Sequence, residues 1–95
     1  MFTENDFILD SCKATPGFEF YLKKKDKIDL SKLVKILDGS PFYISKDNSP
    51  FYLHIKNKDA EVTVFSSLKI IIKDLLSEDK AKKIFLEILE LINKV

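Results

Sequence analysis

Residues 62–73 read Val62-Thr63-Val64-Phe65-Ser66-Ser67-Leu68-Lys69-Ile70-Ile71-Ile72-Lys73. Two runs of β-branched and aliphatic residues flank Ser66-Ser67, a pair suited to a turn. The stretch therefore predicts a β-hairpin. Side chains alternate across a strand, so the hairpin has a core side and an opposite side. The opposite side collects Glu61, Thr63, Phe65, Lys69, Ile71 and Lys73. A phenylalanine and a row of lysines on an outward face ask what that face meets.

The same period of two appears elsewhere. Phe18, Phe20 and Leu22 alternate with Glu19, Tyr21 and Lys23, and Phe51, Leu53 and Ile55 alternate with Tyr52, His54 and Lys56. Both patterns predict half-buried strands, and residues 42–45 suit a further one. Phe7-Ile8-Leu9 fits either a short strand or a helical turn. Thr15-Pro16-Gly17 is a turn signal. Asp29 precedes Leu30, Leu33, Val34 and Leu37 at helical spacing and is a favoured N-cap; Gly39 and Pro41 stop that helix. Ser77, followed by Glu78 and Asp79, opens a longer helix, since negative charge suits a helix N-terminus. Its stripe runs through Ala81, Ile84, Phe85, Ile88, Leu91, Ile92 and Val95, and Leu86 and Leu89 either widen that stripe or touch another protein.

The order is strand, helix, several antiparallel strands, long helix, which makes an α+β domain. Both helices must bury their stripes, and the inward strand residues offer one face of one curved sheet. The other face is left open. Alternation assigns to it Glu19, Tyr21, Lys23, Tyr52, His54, Lys56, Glu61, Thr63, Phe65, Lys69, Ile71 and Lys73. Aromatics among lysines are unusual for a face that meets only water. The coverings to weigh are residues 1–14 folded back, a second subunit, a protein partner or nucleic acid; the residue mixture suits both of the last two.

Composition narrows the classes. Ninety-five residues make one domain, and all 16 basic residues are lysine. A net charge of +1 does not by itself argue for nucleic acid. A lone Cys12 excludes an internal disulfide, and the start carries acids where a signal peptide carries bases. No apolar run approaches the roughly 20 residues a membrane helix needs. The expectation is a cytoplasmic protein without a membrane segment.

Several motifs together resemble one repeat of the TATA-box-binding protein domain. Ile28-Asp29-Leu30 is similar to that family's Leu-Asp-Leu at its first helix. Residues 64–72 are similar to its Ile-Phe-Ser-Ser-Gly-Lys and the aliphatics that follow. Ser77-Glu78-Asp79-Lys80-Ala81-Lys82 is similar to its Ser-Glu-Glu-Asp-Ala-Lys. The resemblance spans residues 18–95, with residues 1–17 as an N-terminal extension, and is most specific between Phe65 and Lys82. It implies a half-saddle of order β-α-β-β-β-β-α. In the family two tandem repeats form a saddle whose concave sheet lies in the DNA minor groove and inserts phenylalanines between base steps. One repeat implies a homodimer. Phe65 takes the place of a wedge phenylalanine and Ile71 that of a groove valine. The groove asparagine falls at Gly17, its neighbouring valine at Glu19, a phosphate-binding arginine at His54 and a groove threonine at Lys73. The other wedge pair is reversed, as Pro50-Phe51. These departures imply the fold without specific TATA-box recognition. Single domains of this kind also resemble accessory domains of ribonucleases H and DNA glycosylases.

Candidate nucleic-acid-binding residues are thus Tyr21, Lys23, Tyr52, His54, Lys56, Thr63, Phe65, Lys69, Ile71 and Lys73. Lysines here either neutralise phosphates or keep an exposed strand face soluble. A single histidine and a single cysteine cannot supply a zinc site, nor can two glycines build a phosphate loop. No cofactor and no enzymatic activity are expected. The alternative function is a protein-interaction module that kept the fold and lost DNA binding.

Overall fold

The computed structural model describes residues 2–11, 17–45, 50–73 and 77–95. The turn at Thr15-Pro16, Cys12 and the loop at 46–49 lie outside them. A 3-10 turn (Glu4–Asp6) leads into β1 (Phe7–Ser11) and β2 (Gly17–Leu22). Next come α1 (Leu30–Leu37), β3 (Tyr43–Ile44), β4 (Tyr52–Lys56), β5 (Glu61–Phe65), β6 (Lys69–Lys73) and α2 (Glu78–Ile92). The six strands form one antiparallel sheet in the order β1-β2-β6-β5-β4-β3. The α+β class stands as expected. Within the described part of the segment before residue 17, Phe7–Ser11 adds a strand at the sheet edge rather than a cover over its face.

Both helices start where their caps say. Asp29 accepts the Ser31 N–H, and Ser77 accepts the Lys80 N–H. Such a side chain satisfies a backbone donor that the first turn otherwise leaves unpaired. α1 buries Leu30, Leu33 and Leu37, and α2 buries Ala81, Ile84, Phe85, Ile88, Leu89, Leu91 and Ile92. These join Phe20, Leu53, Ile55, Val62, Val64, Ile70 and Ile72 in one core. The two helices therefore share one face of the sheet. At its centre Phe85 stacks on Phe20 at 4.1 Å and meets Phe7 edge-on at 5.0 Å.

Two expectations are corrected and two are refined. Phe51 is 70 % exposed, because it sits in the bend before β4 and the strand period does not reach back to it. Val95 lies beyond the end of α2 and is exposed. Leu89 is core while Leu86 is 42 % exposed. The strand foreseen at residues 42–45 runs over Tyr43–Ile44, and the Ser45 N–H continues its pairing onto the His54 carbonyl.

The hairpin turn is one residue longer than Ser66-Ser67. Leu68 completes it, with its N–H donating to the Phe65 carbonyl at 2.9 Å and a φ of 68°. A left-handed residue in a three-residue hairpin loop is a position that favours glycine. The resembled family carries glycine there. Leu68 occupies it because its side chain is fully buried. Core leucine truncation costs about 2–5 kcal/mol, whereas the left-handed backbone costs a branched side chain only about 1–2 kcal/mol. Leu68→Gly and Leu68→Ala are both expected to destabilise, with the glycine variant the more stable by about 1 kcal/mol. Urea midpoints of the two variants check this; an alanine variant at least as stable would contradict it.

No helix among the described residues is long and apolar enough to cross a membrane.

Candidate functional site

Strand register arranges the open face in rows. Tyr21 stands opposite Lys69. Glu19 stands opposite Ile71, Ile71 opposite Thr63, and Thr63 opposite His54. Lys73 stands opposite Glu61, Glu61 opposite Lys56, and Lys56 opposite Tyr43. Tyr52 stands opposite Phe65. Nine of the sequence-derived candidates are thus brought together on β2, β4, β5 and β6. The tenth, Lys23, lies just past β2, exposed, with its N–H donating to the Asp6 carbonyl. Sequence reasoning missed Ile8 and Asp10 of β1, which pair with Tyr21 and Glu19 and extend the rows. Tyr43 of β3 was missed as well.

One corner of the face is aromatic. Tyr52 lies 5.0 Å from His54 in an edge-to-face arrangement and 6.1 Å from Phe65. The Lys69 ammonium sits 5.7 Å from the centroid of the Phe65 ring. Such a cation is attracted to the negative face of the ring. Behind this ledge, His54 Nδ1 and Thr63 Oγ1 share a hydrogen bond of 2.9 Å. Thr63 is only 5 % exposed despite its place on the open side. It anchors the ledge and is not itself offered to a ligand.

The lysines are less available than the sequence implies. Lys69 Nζ lies 2.8 Å from Glu19 Oε1, and Lys56 Nζ lies 3.6 Å from Glu61 Oε1. On the described strands of this face, Lys56, Lys69 and Lys73 stand against Asp10, Glu19 and Glu61, which leaves it near neutrality. Positive charge gathers at the rim. An open concavity of about 860 Å³, lined among others by Tyr21, Lys24, Lys25, Lys27 and Lys69, adjoins the ledge through Lys69. Glu19 and Asp26 also line it, so four lysines there outnumber two carboxylates.

Gly17 has a φ of 153°, and a Cβ there would run into the Ile72 carbonyl oxygen on β6. The place that the resemblance aligns with a groove-reading asparagine cannot carry a side chain in this backbone. Among the described residues no group of three or more His, Cys, Asp or Glu is placed to hold a metal ion. The carboxyls held below their ordinary range lie away from the face. Asp6 is held there by the Thr3 N–H and Asp29 by the Ser31 hydroxyl. Both favour the folded state above the ordinary carboxylate range and lose that effect as pH falls through their lowered values.

Set against known proteins, the chain matches no family model, no curated protein and no solved structure.

Proposed function

We propose that the chain is a small non-enzymatic nucleic-acid-binding protein that works as a homodimer through the open face of its sheet. On this reading it is a single-repeat relative of the TATA-box-binding domain without specific TATA-box recognition. The observation that carries the binding assignment is the ledge of Phe65, Tyr52 and His54 with Lys69 above it. Tyr52 is exposed and Phe65 and His54 are half-buried; aromatic rings on an open face stack unpaired bases, at about 1–3 kcal/mol per base. The element order from β2 onward, strand, helix, four strands and long helix, supports the family reading.

Charge shapes the mode of binding. With Lys69 and Lys56 already paired, few phosphates are neutralised, and those by the rim lysines. Affinity then comes mainly from stacking and prefers single strands. Fluorescence anisotropy with a labelled oligonucleotide, single-stranded and duplex, tests this at two salt concentrations. The expected result is tighter binding of the single strand and a shallow salt slope, corresponding to about two or three released counterions. No binding at low salt overturns the proposal.

The two ion pairs and balanced charge favour a second reading, a protein-interaction module, because mixed aromatic and paired polar surfaces also suit protein interfaces. Its mark is a defined protein partner that binds this face while no nucleic acid does.

A further inference from the structure

The sheet has two free edges of different character. β3 offers a short one, over Tyr43–Ile44. β1 offers the longer one, Phe7-Ile8-Leu9-Asp10-Ser11, without the lysine or proline that commonly blunts an edge strand. In a chain with 16 lysines, none falls on this strand.

Hydrogen-bond direction shows which groups that edge presents. The Lys23 N–H donates to the Asp6 carbonyl, in register with the pairing of β1 and β2. Backbone groups alternate in direction along an antiparallel strand, so Asp6, Ile8 and Asp10 turn theirs toward β2. Phe7, Leu9 and Ser11 turn theirs outward. The Ser11 N–H, bonded to its neighbour Asp10 Oδ1, agrees with this.

Each side of the edge offers an exposed apolar side chain, with Asp10 beside it on the open face. Ile8 on the open face is 39 % exposed. On the helix face, Asn93 binds both backbone groups of Phe2 at 2.8 Å, and Phe2 packs on Phe7. This sets one flank of α2 beside β1. Leu86 lies two turns before Asn93 on that flank and is 42 % exposed.

We infer that a second copy of this chain docks along β1, antiparallel, with the two-fold axis at Leu9. Only the outward groups are in register. Leu9 exchanges both bonds with the partner's Leu9, and Phe7 exchanges bonds with the partner's Ser11, releasing the Asp10 cap. Ile8 then faces the partner's Asp10 on the open side, and the Leu86 side chains flank the joint on the helix side. A second copy fits this edge because the pairing is self-complementary: the same outward groups serve both strands. The two six-stranded sheets become one, and the two open faces become a continuous surface. This names the interface of the proposed homodimer. It is tested without nucleic acid, so it can fail while the binding assignment stands.

The experiment is the solution mass of the chain by sedimentation equilibrium over a dilution series, for the parent protein, Leu9→Pro and Leu86→Lys. Proline at position 9 removes an outward N–H and spares the N–H and C=O groups that bond β2, while also trimming the packing of Leu9 on the core. Leu86→Lys places like charges across the joint without touching the sheet. The parent is expected at twice its 11.0 kDa mass, and both variants at the single-chain mass with circular dichroism unchanged. A parent that stays monomeric throughout overturns the inference, as does either variant remaining dimeric while folded. If Leu9→Pro fails to fold, the Leu86→Lys mass decides.

Discussion

Phe85→Ala is expected to cost about 3–5 kcal/mol, the range for removing a buried aromatic ring and leaving its cavity. Whole domains of this length are stable by only about 5–14 kcal/mol, so the variant stands at or near the unfolding threshold. The size of the effect follows from position. Phe85 is fully buried, stacked on Phe20 of β2 and in edge contact with Phe7 of β1. It is where α2 packs against β1 and β2 at the end of the sheet. The ring on its other flank, Phe2, reaches it only through Phe7. Equilibrium urea denaturation checks the value, with the neighbouring exposed Leu86→Ala as a control expected to shift stability by no more than about 0.5 kcal/mol. A loss at Phe85 of the size seen at Leu86 would mean that α2 does not pack as described.

The largest expected effect on binding comes from Phe65→Ala combined with Tyr52→Ala. Each ring is a stacking platform worth about 1–3 kcal/mol per base, so the pair together lowers single-strand affinity by about a hundredfold or more. Both side chains lie on the solvent side of the sheet, and the hydrophobic core is untouched. Stability should change little. The rim lysines predict the complementary behaviour: a combined Lys24→Glu and Lys25→Glu change is expected to weaken binding modestly and flatten its salt slope. A double aromatic variant that binds like the parent removes the stacking assignment.

Much of this face is readable from residue alternation, because a strand with one buried side repeats its polarity every second residue. That is why Tyr52, His54, Thr63, Phe65 and Ile71 could be placed together before any contact was known. Alternation assigns a side but not an exposure, so it missed that Thr63 is closed over and hydrogen-bonded to His54. It also cannot pair strands distant in sequence. The bond between Glu19 and Lys69 depends on β2 lying beside β6, and with it the near-neutral charge of the face. β1 was ambiguous for a different reason: Phe7-Ile8-Leu9 is a continuous apolar run with no period to read. Leu68 was hidden because leucine normally avoids the left-handed region, whereas glycine would have marked the longer turn.

The central claim is that the uncovered side of a single sheet, and not its helices, meets the ligand. Backbone amide shifts recorded as a single-stranded oligonucleotide is added test it most directly. The expected perturbations cluster on Tyr21, Tyr52, His54, Phe65, Lys69 and Ile71, spreading to Lys24 and Lys25 at the rim. Perturbations confined to α1 and α2, or none on the sheet, would contradict it.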